Sequence, residues 1–131
     1  MREYLFVYGT LLPRKAPAEV AGVVKQLRAI GKAYVRGRLY DFGDYPAAVI
    51  DGRSRQKIEG LLFEVPPNLR IFTRLDRYEG YDENDPKNSL FVRRKRLVML
   101  NGRRVRSWIY EYNRKPASAA RVNRNRFTAT I

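Results

Sequence analysis

Leu97-Val98-Met99-Leu100-Asn101-Gly102-Arg103-Arg104-Val105-Arg106 is the stretch on which the fold reading turns. Asn-Gly between two strand-like runs is the strongest short hairpin signal, because the favoured two-residue turn needs positive φ at both central positions. It predicts paired antiparallel strands over residues 90–100 and 103–112. A tight hairpin joins only antiparallel neighbours, so an all-parallel sheet is excluded and the other segments must be arranged around this pair.

Working outward, residues 3–8 are β-branched and aromatic and stop at Gly9, a strand running into the loop Gly9-Thr10-Leu11-Leu12-Pro13. Val20, Val23, Val24, Leu27 and Ile30 then fall at helical spacing. With Pro17 in the first turn and Gly31 as the stop, they predict a helix over about 17–30. Strands follow near 33–41 and 46–50, joined by Phe42-Gly43-Asp44-Tyr45, and a further strand near 57–65 follows Asp51-Gly52-Arg53. Pro66-Pro67 opens a second helix, with Leu69, Phe72, Leu75 and Tyr78 on one face and Gly80 at its end. Residues 81–88 form a polar loop, and the tail from about 113 carries Arg114, Lys115, Arg121, Arg124 and Arg126 without an acid. Sparse helices with hairpins between them specify an α+β fold rather than a βαβ one. About six mainly antiparallel strands with two flanking helices can close into a small barrel, which removes exposed edges. Residues 1–131 read as one domain ending in the basic tail, a size close to the commonest for domains.

Composition narrows the chemistry. The chain has 44% hydrophobic residues, enough for a proper core, and it has neither Cys nor His. A disulfide framework, a thiol nucleophile, a thiolate metal site and an imidazole base are therefore excluded. Catalysis has to rest on carboxylates, Tyr, Lys, Ser/Thr or backbone groups. The net charge of +14 draws anions and admits nucleic acid as a partner, though not the favoured one. The early apolar run Leu5–Tyr8 is far too short for a leader or a membrane span. A cytoplasmic protein without a membrane role is the expectation, and no motif speaks to oligomeric state.

Four constellations carry potential chemistry. At Val7-Tyr8-Gly9-Thr10-Leu11 a strand ends on a glycine, which permits an unusual backbone angle, and successive N–H groups there can form a nest for a carboxylate or oxyanion; a plain turn fits the same residues. In Arg77-Tyr78-Glu79-Gly80-Tyr81 an acid meets the negative end of a helix dipole, which raises its pKa and suits it as a base; an exposed, solvated Glu is the bland alternative. Tyr40, Tyr45, Trp108, Tyr110 and Tyr112 can line a pocket or simply fill the core, with Tyr110 and Tyr112 on one strand face. Arg93, Arg94, Lys95 and Arg96, with Arg103, Arg104 and Arg106 across the hairpin, can track phosphates or form a solvated face.

In their order these segments resemble the gamma-glutamyl cyclotransferase-like superfamily. The resemblance runs from Val7-Tyr8-Gly9-Thr10-Leu11 through Gly37-Arg38-Leu39-Tyr40, Tyr45-Pro46-Ala47 and Gly60-Leu61-Leu62-Phe63-Glu64-Val65. It continues to Leu75-Asp76-Arg77-Tyr78-Glu79-Gly80-Tyr81 and Trp108-Ile109-Tyr110-Glu111-Tyr112. It implies a small closed barrel and conversion of a small gamma-glutamyl compound to 5-oxoproline and a free amine, without metal or organic cofactor. By the same resemblance the acid–base residue is Glu79 and the substrate-cradling loop is Tyr8, Gly9, Thr10 and Leu11. A late-strand tyrosine lines the pocket, Tyr112 being preferred over Tyr110. One departure is Leu12-Pro13-Arg14, where relatives often carry a further glycine.

Overall fold

The computed structural model describes residues 2–12, 16–67, 69–115 and 120–122. Along the described residues lie β1 (Glu3–Val7), α1 (Ala18–Val24), β2 (Arg28–Asp41), β3 (Pro46–Ile50), β4 (Lys57–Val65), α2 (Leu69–Glu79), β5 (Phe91–Leu100), β6 (Arg103–Tyr112) and β7 (Ala120–Val122), with a 3-10 turn at Pro86–Asn88. The hairpin that decided the fold is present. Asn101 and Gly102 both take positive φ, 50° and 79°, and β5 and β6 pair from Phe91↔Tyr112 to Leu100↔Arg103.

The sheet runs β3-β2-β4-β1-β6-β5, and a β2–β5 pairing at Tyr34↔Met99 returns it to β2. Strands β2, β4, β1, β6 and β5 thus close a barrel. The β1–β6 contact is parallel and the other ladders are antiparallel. Beyond the barrel, the second half of the long β2 is flanked by β3 on one edge and β7 on the other, with Leu39 opposite both Ala48 and Val122. The expected α+β barrel is therefore what forms, with β7 drawn from the basic tail as an added strand. Arg124 and Arg126 of that tail lie outside the described residues.

Alternation along β1 divides the core in two. Phe6 and Tyr8 point into the barrel with Val35, Leu39, Ile58, Leu62, Val98 and Ile109. Leu5 and Val7 point to the other side, where Val20 and Val23 of α1 and Ile71 and Leu75 of α2 cover them. Each fully buried Leu, Ile or Phe contributes roughly 1.5–3 kcal/mol relative to exposure. Both helices are thus pinned to one side of the barrel, next to the end of β1.

Two element readings change. The first helix stops at Val24 instead of about residue 30, and β2 begins at Arg28. Ile30 lies in that strand, at a register irregularity between Ala29 and Gly31 against β4. The helical pattern was built largely of β-branched valines and Ile30, which are weak helix formers, and a full ladder with β4 outcompetes it. In α2 the buried face is Ile71 and Leu75, while Phe72 and Tyr78 are only half-buried. A strict three-residue repeat drifts around a helix of 3.6 residues per turn, so the i,i+4 pair faces the core. Among the described residues no helix is long and apolar enough to cross a membrane.

Candidate active site

A cavity of about 190 Å³ opens where β1 ends, between the start of β3, the end of α2 and β6. Tyr8, Gly9, Thr10 and Leu11 line one side of it; Tyr78, Glu79 and Tyr110 line another, and Tyr45, Pro46, Leu90 and Phe91 also contribute. Residues some seventy positions apart in sequence (Gly9 and Glu79) therefore share one hollow. It is smaller than the roughly 300–1,000 Å³ of sites for drug-sized ligands, and suits a compact metabolite.

The β1 turn is built by close packing. The Leu12 N–H closes it onto the Gly9 carbonyl at 2.9 Å. A Cβ on Gly9 would stand 2.7 Å from Pro46 Cγ, so only glycine lets the turn lie against β3. Gly9 does not adopt a positive φ, so its role is close approach instead of the unusual backbone angle expected of it. Among the described residues no acceptor takes the N–H of Gly9, Thr10 or Leu11. Pro13 and Arg14, the departure noted above, lie outside the described residues.

Tyr8 is an anchor. Its hydroxyl donates to the Tyr110 carbonyl at 2.7 Å and accepts from the Ala48 N–H at 3.2 Å, tying β1 to β6 and β3. Burial, with Glu79 adding to it, pushes its phenol far above the ordinary range, so it stays neutral. Thr10 is held from the opposite wall, accepting from the Tyr78 hydroxyl at 3.0 Å.

Glu79 is the last residue of α2, and the backbone after it fixes where it points. Gly80 takes φ +73°; its N–H reaches the Arg77 carbonyl at 3.3 Å and the Tyr81 N–H reaches the Asp76 carbonyl at 2.8 Å. This is the paired-bond stop that a left-handed glycine makes at a helix end. Glu79 is half-buried and lines the cavity. Burial first, and the Asp76 charge second, push its pKa up from 4.5 to about 8. Neither the helix end nor the surplus of arginine sets this value; loss of water does.

Sequence reasoning missed Asp76 and Arg93. Arg93 grips Asp76 through Nε at 2.8 Å and Nη2 at 3.2 Å, and the Tyr110 hydroxyl donates to the same carboxylate at 2.6 Å. The guanidinium lies over Phe72 and Trp108, 4.3 and 4.4 Å from the ring centroids. Burial, then Asp76, raises the Tyr110 phenol well above its usual value. Asp76 stands one helical turn before Glu79 in the quoted motif, which was the available signal. Arg93 gave none, since it sat in a run of like charges.

Two expectations are corrected. Tyr110 lines the cavity and Tyr112 does not. Tyr112 lies at the far end of β6, where the rings of Phe42 and Phe91, at 5.0 and 5.6 Å, take it into an aromatic cluster behind the wall. The basic run on β5 is largely neutralised: Arg93 pairs with Asp76, Lys95 with Glu3, and both Arg94 and Arg96 with the buried Glu111. A solvated strand face therefore describes Arg103, Arg104 and Arg106, all exposed, but not Arg93.

The chain matches the family described as gamma-glutamyl cyclotransferase, AIG2-like, over residues 5–129. It belongs to that family. Solved structures share the cyclotransferase-like fold at low sequence identity. An AIG2-like protein from Mus musculus is 19% identical with a TM-score of 0.67, over 88% of this chain and 81% of the mouse chain. An uncharacterized protein from Pyrococcus horikoshii is 21% identical with a TM-score of 0.61, over 92% and 86%. YkqA from Bacillus subtilis is 22% identical with a TM-score of 0.65; 86% of this chain is covered but only 36% of the Bacillus chain. No curated protein is significantly similar in sequence.

Proposed function

We propose that this member of the gamma-glutamyl cyclotransferase family is an active cytoplasmic enzyme, with Glu79 as its general acid–base. It would release 5-oxoproline and a free amine or amino acid from a small gamma-glutamyl compound. The observation that carries the reading is the shared cavity: Glu79 and the turn Gly9-Thr10-Leu11 line the same hollow of about 190 Å³.

The reaction asks little beyond that. The substrate's own α-amine attacks its γ-carbonyl, a carbon–nitrogen bond forms to close the ring, and the original γ-amide bond breaks. Because nucleophile and electrophile belong to one molecule, the protein's part is to hold a folded conformer and relocate one proton. In its ionised form Glu79 accepts that proton from the α-ammonium and returns it to the departing nitrogen. A carboxyl near pKa 8 lies closer to an amine than an ordinary glutamate does, so either transfer costs less. The N–H groups of Gly9, Thr10 and Leu11 serve the developing oxyanion or the α-carboxylate. Among the described residues no Lys or Arg lines the cavity, which leaves these backbone donors and the hydroxyls for that task.

The test is 5-oxoproline release from a panel of gamma-glutamyl amines and peptides. Glu79→Gln keeps the shape and removes the proton carrier, and is expected to lower turnover by about 10²–10⁴-fold. Unchanged turnover in that variant overturns the assignment.

A further inference from the structure

We infer that the Tyr110 hydroxyl accepts a hydrogen bond from the substrate's α-ammonium, and that Asp76 and Arg93 are positioning residues that hold it in that sense. The inference rests on the proposed gamma-glutamyl ligand and adds how that ligand is oriented.

A phenol has one proton to donate and two lone pairs to offer. In Tyr110 the proton is committed, because Asp76 Oδ1 lies 2.6 Å away. Asp76 cannot reverse that bond. Arg93 donates to both oxygens of the same carboxylate, at 2.8 and 3.2 Å, and a carboxylate so gripped takes the Tyr110 proton as an acceptor. Arg93 in turn has little freedom, lying over the rings of both Phe72 and Trp108. The direction of the Tyr110 O–H is thus set by a chain of fixed partners running from β5 through α2. Tyr110 is itself buried and forms part of the cavity wall. What it presents to an occupant is an acceptor.

This gives the cavity two unlike sides. Ionised Glu79 and Tyr110 accept; the N–H groups of Gly9, Thr10 and Leu11 donate. A gamma-glutamyl compound fits with its ammonium against the first side and its carboxylate or γ-carbonyl oxygen against the second. The opposite placement sets oxygen against oxygen and nitrogen against nitrogen. The ammonium then lies beside Glu79, where its proton has to go.

The test uses two anilides, the γ-anilide of L-glutamic acid and the matching mono-anilide of glutaric acid, which lacks the α-amine. Binding of each is measured by calorimetry in the Glu79→Gln protein, so that neither is consumed. The L-glutamyl ligand is expected to bind at least tenfold more tightly. Adding Tyr110→Phe, which keeps the ring, is expected to collapse that preference towards unity while leaving the glutaryl anilide unchanged. Asp76→Asn is expected to do the same, since an amide can donate to the phenol and turn its proton towards the cavity; Asp76→Glu is expected to restore part of the preference. Should Asp76→Asn fail to fold, Tyr110→Phe decides alone. A preference that survives Tyr110→Phe overturns the inference, as does an equal weakening of both ligands or no binding of either. The wild-type protein assayed for 5-oxoproline with the L-glutamyl anilide keeps the two ideas apart. Discrimination without turnover supports the orientation against the catalytic proposal, and turnover with discrimination untouched by Tyr110→Phe does the reverse.

Discussion

Arg93 and Arg106 stand on facing strands of one hairpin, on its same outer side, and meet opposite fates. Arg93 pairs across to Tyr110 and is almost closed off, its side chain 13% exposed, with an acid in its fork and two rings against it. Arg106, opposite the exposed Leu97, and Arg104, opposite Met99, face solvent, and no ion pair holds either among the described residues. The difference is not in the residue or the strand. It comes from α2, whose Phe72 and Asp76 reach one half of the hairpin and leave the other bare. A run of like charges in a sequence is therefore several different objects, sorted by what packs on top.

The sharpest way to break that contrast is to remove the buried cation. Arg93→Ala leaves Asp76 half-buried with the Tyr110 hydroxyl as its remaining side-chain partner among the described residues, and losing one partner of a buried pair typically costs about 3–5 kcal/mol. Chemical denaturation of the variant is expected to show a loss near the lower end of that range, because the pair retains some solvent contact. A loss below about 1 kcal/mol would make the two halves of the hairpin energetically alike, as surface ion pairs are.

A second effect belongs to the buried half alone and depends on pH. Glu79 holds its proton to about pH 8 in the folded protein, against an ordinary value of 4.5. The folded state binds that proton more tightly than the unfolded chain, so the associated stability is complete below about pH 4.5 and is lost as pH rises through about 8. Glu79→Gln, which cannot ionise, is expected to leave stability unchanged at pH 4 and to raise it by about 2 kcal/mol at pH 9. That is less than the full shift implies, because Glu79 is only half-buried and lines a cavity. Thermal melts across this range check it. A variant that is destabilised at pH 9 would mean that the carboxylate is the form the fold prefers.

What the sequence disclosed follows the range of the interaction responsible. Asn101-Gly102 and the stop at Gly80 are set by local backbone geometry, and both stand where the residues put them. The turn at Gly9 was found, but for the wrong reason, since its constraint is Pro46, far along the chain. The first helix was overdrawn because residues 28–30 are claimed by a ladder to β4, a contact that periodicity does not register. Tyr110 and Tyr112 share a strand face and look equivalent; only the packing of Phe42 and Phe91 around Tyr112 separates them. Asp76 and Arg93 were hidden because each acts through the other, from different elements.

The smallest expected effect lies on the bare half. Arg104→Ala and Arg106→Ala remove exposed cations that hold no ion pair among the described residues, and substitutions of that kind usually stay within about 0.5 kcal/mol. The sign can be argued further. A chain carrying +14 repels itself, so taking away two unpaired positive charges relieves that repulsion. The double variant is therefore expected to be neutral to slightly more stable in dilute buffer. That small gain should fade as added salt shortens the screening length to roughly 3 Å near 1 M. Arg93→Ala should behave otherwise, since a partly enclosed pair is screened much less and its loss should persist in high salt. If the exposed double variant lost stability and kept that loss in salt, Arg104 and Arg106 would be packing residues like Arg93, and the contrast between the two halves would fail.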